Sequence, residues 1–256
     1  MRDRLRDRAI MVIGAGTGIG AAVVARLCDE GARVCVADIN FPAAEALAAR
    51  MTAAGHCAFA VAIDIADETS VGAAFAQALA VLGRLDGVHA NAADLRTIFA
   101  DSDALDVDLA VFDRTMAVNL RGALLCTRAA LPHLLAAGGG ALVYTSSDAW
   151  VAGEPERPAY AMSKSGLNAL MRHVASRWGR QDITANAVAP GFVMTPEMIA
   201  GGQVPPAFVD QCLKQVRSPR LGTVDDIAGV VAMLLSDDGR WINGQVIHVN
   251  GGTLLR

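Results

Sequence analysis

The sequence predicts an α/β protein: a doubly wound parallel sheet, covered by helices on both faces, in a single domain. Three observations carry this expectation. Short apolar runs alternate along the chain with amphipathic segments of helical length. The first apolar run passes through a glycine-rich turn directly into a helical pattern. No Pro/Ser-rich linker, low-complexity tract or repeat divides the 256 residues, of which 53% are apolar and 19% charged, enough for a large core.

The opening MRDRLRDR alternates Arg2, Arg4, Arg6 and Arg8 with Asp3 and Asp7, and reads as a solvated leader. The next stretch, RAIMVIGAGTGIGAAVVARL, imitates a signal peptide, but three features oppose that reading. The leader carries acids, glycines 14, 16, 18 and 20 interrupt the apolar run, and the run falls short of the ~20 residues of a membrane span. It resolves instead into a strand over 9–13, a turn, and a helix over 18–30 closing at Gly31. Glycines let a backbone approach a pyrophosphate, whose charge is held by N–H groups at a helix start. Two spacings fit, GxGxxA from Gly16 and GxxxGxG over Gly14, Gly18 and Gly20. The second begins where the strand ends and keeps glycine out of the strand. The strand RVCVAD over 33–38 ends at Asp38, where a carboxylate can meet an adenosine ribose. Its charge repels a 2′-phosphate, and neither Thr17 nor Ile39 offers a positive one, so NAD(H) is favoured over NADP(H).

Further strands are expected near 57–63, 86–91, 140–146, 183–189 and 245–249, and helices near 42–54, 68–82, 110–136, 158–179 and 224–236. Residues 192–222, broken by Gly201, Gly202, Pro205 and Pro206, form the least regular piece and read as a substrate-binding loop or lid. Ligands of open parallel sheets sit beyond the carboxyl ends of the strands. That rule gathers Gly14–Gly20, Asp38, Asp64, Ile65, Asn91, Ala92, Ala93, Ser146, Ser147, Pro190 and Gly191 on one rim. In RPAYAMSKSGLNAL, Tyr160 and Lys164 lie four apart at a helix start and share a face. An ammonium beside a phenol pulls its pKa down toward the range of a proton shuttle.

Other classes are excluded by composition. A net charge of −4 without a basic cluster argues against nucleic acid, and nothing calls for a membrane partner. The five cysteines (28, 35, 57, 126 and 212) show neither a CxxC pair nor zinc-ligand spacing. They read as buried thiols of a reducing, cytoplasmic compartment, with no metal site.

Gly14-x-x-x-Gly18-x-Gly20, Asn91-Ala92-Ala93, Asn119, Ser147, Tyr160-x-x-x-Lys164, Pro190-Gly191 with Thr195, and the closing INGQVIHVNGG resemble the compact branch of the short-chain dehydrogenase/reductase family. The likeness runs over essentially the whole chain in that family's order, and Ser147 precedes Tyr160 by the family's thirteen residues, selecting it over Ser146. The resemblance implies a Rossmann-like fold with Tyr160 as general acid/base and Ser147 bonded to the substrate oxygen. Lys164 would lower the Tyr160 pKa and hold the nicotinamide ribose, and Asn119 would position a water between Lys164 and solvent. Thr17, Ile19 and Gly20 would join Gly14 and Gly18 in the phosphate cradle, and Asp38 with Ile39 would meet the ribose. Asp64 and Ile65 would flank the adenine, Asn91, Ala92 and Ala93 would line the cofactor channel, and Pro190, Gly191, Val193 and Thr195 would close it at the carboxamide.

Two residues depart from the family pattern. Ile13 stands where a threonine usually ties the first turn to the fourth strand, and Ala93 stands where glycine usually ends the Asn-Ala motif. Asp148, Trp150, Val151, Phe192 and Met198 are the substrate-pocket candidates. For Phe208, Val209, Cys212, Leu213 and Val216 a buried helix face is as good a reading as a substrate contact. The expected activity is hydride transfer between NAD(H) and a bulky apolar or alicyclic secondary alcohol or ketone, in a homotetramer by resemblance. The alternatives are a non-catalytic NAD-binding sensor or scaffold, and an epimerase on an extended fold, for which HVNGG leaves no further domain.

Overall fold

The computed structural model describes residues 3–202 and 204–255; Arg2 of the leader lies outside them. Strand and helix alternate through Ala9–Ile13 (β1), Gly18–Asp29 (α1), Arg33–Asp38 (β2), Phe41–Ala53 (α2), Cys57–Ala62 (β3), Glu68–Leu82 (α3) and Gly87–Ala90 (β4). A long helical stretch follows: Leu109–Thr115 (α4), a π-helical segment Met116–Gly122, and Ala123–Ala136 (α5). Then come Gly140–Thr145 (β5), Ala149–Ala152 (α6), Pro158–Trp178 (α7), Ile183–Pro190 (β6), Val193–Met194 (β7), Pro196–Gly201 (α8) and Pro206–Gln215 (α9). Gly222–Thr223 (β8), Val224–Leu234 (α10) and Val246–Val249 (β9) close the chain.

Seven strands pair in the order β3-β2-β1-β4-β5-β6-β9, every pair parallel. Parallel strands need crossovers, and the helices that supply them cover both faces. Successive residues of β1 therefore point into different cores. Met11 and Ile13 pack with Phe75 of α3, Leu131 of α5 and Met171 of α7, while Ile10 and Val12 pack with Val23 of α1, Leu47 of α2 and Val231 of α10. The strand order reverses between β1 and β4, which opens a crevice beyond their carboxyl ends. No helix among the described residues is long and apolar enough to cross a membrane.

Four expectations are corrected. The leader is docked, not solvated: Leu5 is fully buried, and Arg4 grips the buried Glu30 through Nε (2.7 Å) and Nη2 (2.9 Å). Glu30 offers the acceptor that such a guanidinium needs, and Arg8 pairs with Asp237. Cys57 is exposed on the outermost strand, whereas the other four thiols are buried. The helix expected over 110–136 is interrupted by the π-helical segment that carries Asn119, and such turns recur at functional sites. The irregular segment 192–222 holds α8 and α9 and is clasped at its base by the β7–β8 pair. On α9 only Cys212 is buried, while Phe208 and Leu213 are exposed, so the buried-face reading of that helix does not hold.

Helix α3 offers a clean stability test. Asp67 caps it by accepting from Thr69 N–H (3.0 Å) and Ser70 N–H (3.3 Å). Exposed Gly72 within it has open space where a Cβ would stand. Gly72→Ala is therefore expected to raise stability by up to about 1 kcal/mol, read as a higher urea midpoint at unchanged slope.

Candidate active site

The glycine turn fills the crevice. Gly14 and Ala15 N–H both donate to Ala37 O (2.8 and 3.1 Å), bending the chain off β1 with Gly14 at φ +78°. A Cβ on Gly14 would lie 2.5 Å from Ala92 Cα, and one on Gly20 would lie 2.0 Å from Gly14 O. The turn is thus packed against the end of β4 on one side and the first turn of α1 on the other. Gly16 N–H donates to Asp38 Oδ2 (2.8 Å) and Asn40 N–H to Asp38 Oδ1 (2.8 Å), which fixes that carboxylate on the rim beside the turn. Gly18 N–H, at the start of α1, donates to Glu197 Oε1 of α8 at 3.2 Å. A helix start whose free N–H already collects a carboxylate, beside glycines whose side chains would fill it, fits the pyrophosphate of a dinucleotide.

A buried network joins this turn to the middle of the sheet. Asn91 Nδ2 donates to Gly14 O (2.7 Å), and Thr145 Oγ1 donates to Asn91 Oδ1 (2.9 Å). With its proton committed, Thr145 Oγ1 accepts from His89 Nε2 at 2.8 Å, which fixes the tautomer and leaves His89 Nδ1 buried without a partner. Burial pushes the His89 imidazole down to about 3, so it stays neutral. The tie that Ile13 cannot make is made here by the Asn91 side chain and by Asn91 N–H to Ile13 O (3.0 Å).

Thr145 also serves the other half of the site, because its carbonyl accepts from Lys164 Nζ at 2.7 Å. Lys164 is fully enclosed and burial lowers its pKa to about 8. Its Nζ stands 5.6 Å from the centroid of the Tyr160 ring, one helical turn away on α7. The Tyr160 hydroxyl lies beside Ser147, which opposes the rise of its pKa; Ser147 Oγ accepts from Ala149 N–H (3.2 Å), while Ser146 Oγ is buried without a partner. The structure thus brings Ser147, not Ser146, to the phenol.

The expected depression of the Tyr160 pKa is overturned in the protein alone. Burial raises the phenol above its ordinary value, opposed by neighbouring Ser147 and Arg157. The lysine ammonium donates to Thr145 O and stands over the ring rather than at the hydroxyl, so desolvation dominates. The Asn119 side chain is likewise engaged: Oδ1 accepts from Asp94 N–H (2.8 Å) and Nδ2 reaches Ser163 Oγ (3.4 Å).

Of the remaining candidates, Thr195 caps α8 through Met198 N–H (3.3 Å) and lies 3.6 Å from where a Gly18 Cβ would stand, so the base of segment 192–222 borders the glycine turn. Asp64 closes its own turn to Ala66 N–H (2.9 Å), and Ile65 backs onto Gly122. Gly191 lies against Asn250, Val193 is buried, and Phe192 meets Phe208 edge-on at 5.2 Å between centroids. Val151 is half-buried on α6 and Ile39 is exposed beside Asp38. Asp148 turns to the edge of the sheet, bonding His248 Nδ1 (2.6 Å) and Asn250 Nδ2 (2.7 Å). Trp150 stacks on the same His248 at 6.1 Å. Sequence reasoning passed over Thr145, Asp94, Asp101 and Glu197. The one available signal was at Arg157, where α7 opens on Pro158 without a capping side chain, so the cap must come from elsewhere.

Comparison with known proteins agrees with this geometry. A family model described as Enoyl-(Acyl carrier protein) reductase matches residues 14–253. A probable short-chain type dehydrogenase/reductase of Bradyrhizobium diazoefficiens is 42% identical, covering 98% of this chain and 89% of its own. The cis-4-hydroxycyclohexanecarboxylate dehydrogenase of Sinomonas cyclohexanicum is 35% identical over 98% of both. The crystal structure of gox2181 superposes with a TM-score of 0.91 at 28% identity, again over 98% of each chain. The chain belongs to the short-chain dehydrogenase/reductase family, a family of oxidoreductases that generally bind NAD or NADP.

Proposed function

We propose that the protein interconverts a secondary alcohol and a ketone, apolar or alicyclic, using NAD(H), with Tyr160 passing the proton. The observation that supports this most directly is the Ser147–Tyr160 hydroxyl pair, set beside enclosed Lys164 on the same rim as the glycine turn. A dinucleotide bound across Gly14–Gly20 would supply or take the hydride. Ser147 and Tyr160 hold the substrate oxygen, and the phenol donates to it in reduction and accepts from it in oxidation. Lys164 would hold the nicotinamide ribose, and Asn119 sits at the π-helical segment beside α7. The preference for NAD(H) rests on Asp38, whose carboxylate is pinned beside the turn where a 2′-phosphate would need a cation. The alicyclic class draws on the relative that acts on a hydroxycyclohexane carboxylate and on the aromatic pair Phe192–Phe208 at the lid.

Residues 192–222 serve as the lid over this site, with half-buried Met198 and Phe192 as its substrate contacts. Half-exposed Leu124 of α5 and Met162 of α7 favour assembly into a homotetramer, and buried free thiols favour a cytoplasmic setting. The test is an absorbance assay of purified protein against cyclic and open-chain alcohols and ketones, with NAD(H) and NADP(H) in parallel. Turnover of a ring alcohol with NAD(H) preferred is the expected result. A preference for NADP(H) removes the Asp38 argument, and no turnover with any alcohol or ketone removes the reaction.

A further inference from the structure

The catalytic helix does not cap itself. Its N-cap position is Arg157, in the left-handed region at φ +68°, and the Arg157 side chain makes no cap bond. The cap comes instead from Asp101, in the connection between β4 and α4. That carboxylate accepts from Ala159 N–H at 3.2 Å and from the N–H of Tyr160 itself at 2.8 Å. Asp101 is 3% exposed, and Arg157 N–H returns bonds to Asp101 O (3.1 Å) and Ser102 O (2.8 Å).

The same connection holds the other end of the Tyr160 peptide unit. Tyr160 O accepts from Ser163 Oγ (2.7 Å), which Asn119 Nδ2 approaches at 3.4 Å, and Asn119 Oδ1 accepts from Asp94 N–H at 2.8 Å. Asp94 is anchored in turn, its carboxylate bonded to Arg96 (3.0 and 2.8 Å) and to Arg114 of α4 (2.9 Å). Asp101 N–H closes the turn between the two by donating to Thr97 O (3.0 Å).

We propose that Asp101 is a positioning residue for Tyr160, and that residues 94–101 form a brace setting the height and tilt of the phenol against Ser147. The proposal rests on the reading of Tyr160 as the proton donor. An N–H bonded to a buried carboxylate leaves that residue little freedom, and misplacement of about 1 Å at a reacting group can cost about 10²-fold in rate.

The experiment compares Asp101→Ala with Asp67→Ala, which strips the cap from α3 and removes no bond to residues 94–101 or to α7. It reads kcat, dinucleotide affinity, and the ¹³Cζ signals of the chain's two tyrosines. Asp101→Ala is expected to lower kcat by at least about tenfold with dinucleotide affinity held within about twofold. It should also displace the Tyr160 signal while that of Tyr144 stays in place. Asp101→Asn, which keeps one acceptor oxygen, should return kcat to within about threefold of the parent. Asp67→Ala should lower the melting temperature and leave both kcat and the Tyr160 signal unchanged. Where Asp101→Ala does not fold, Asp101→Ser, whose shorter side chain falls away from both N–H groups, is read in its place.

The brace is overturned if that variant keeps kcat within about twofold and leaves the Tyr160 signal unmoved, or if Asp67→Ala reproduces the loss. The spectroscopic readout requires no turnover. A chain inactive on every alcohol but with a Tyr160 signal that depends on Asp101 removes the proposed reaction and keeps the brace.

Discussion

Tyr160→Phe is expected to cut kcat by about 10²–10⁴-fold while dinucleotide affinity stays within a few-fold of the parent. The substitution removes one oxygen and keeps the ring on α7, so its packing is preserved and only the proton and the hydroxyl's interaction with Ser147 are lost. Stopped-flow or steady-state rates, paired with a fluorescence titration of the reduced dinucleotide, separate the two quantities. Substantial turnover in the variant would assign the proton to another group. The parent enzyme carries a related pH signature. Burial holds the phenol above its ordinary value, so it is protonated at neutral pH and ready to donate in ketone reduction. Alcohol oxidation needs the deprotonated form, whose fraction grows as pH rises. Oxidation is therefore expected to accelerate into the alkaline range while reduction falls there, and a reversed pair of profiles contradicts the assignment.

What the sequence makes legible here is whatever a local period or a fixed offset encodes. The β1–turn–α1 unit could be placed because apolar alternation, glycine spacing and helical spacing change character within a few residues. Asp38 follows because a strand end lies at a set distance from the turn. Tyr160 and Lys164 share a face because the helical period puts them there. The rest depends on contacts between segments far apart in the chain. Glu30 could not be matched to Arg4 before the leader was seen to fold back on the end of α1, nor Asp101 to a helix that begins more than fifty residues later. Asp148 looked like a pocket residue from its place beside Ser147, yet its side chain is bonded to His248 on the last strand and to Asn250 just after it. The Tyr160 pKa was misjudged for a related reason. Spacing reports that an ammonium is near, but desolvation is set by everything packed around the hydroxyl, and here it is the larger effect.

Gly20→Ala is expected to disable the dinucleotide site, raising Kd by at least about 100-fold, equivalent to about 2.8 kcal/mol, and to destabilise the fold by about 3 kcal/mol. Alanine is the better helix former, so intrinsic propensity alone predicts the opposite sign. Steric contact decides it. The added methyl would stand 2.0 Å from Gly14 O, 2.8 Å from Ala15 Cα and 2.9 Å from Asn91 Nδ2. The first two are backbone, and the third is held by its bond to that same Gly14 O, so none can swing aside. Relief must come from moving the first turn of α1 away from β1, which withdraws the N–H groups offered to the pyrophosphate and stretches the tie to β4. Gly16→Ala should fall between the extremes, because its Cβ would meet only Ala43 Cβ and Asp38 Oδ2, each at 3.1 Å. Gly72→Ala, with open space at the same atom, marks the favourable end. Thermal unfolding and calorimetric titration with NAD(H) across the three variants test the ranking. A Gly20→Ala chain that binds as tightly as the parent would move the pyrophosphate off this turn, because nothing else could seat a methyl group there without displacing it.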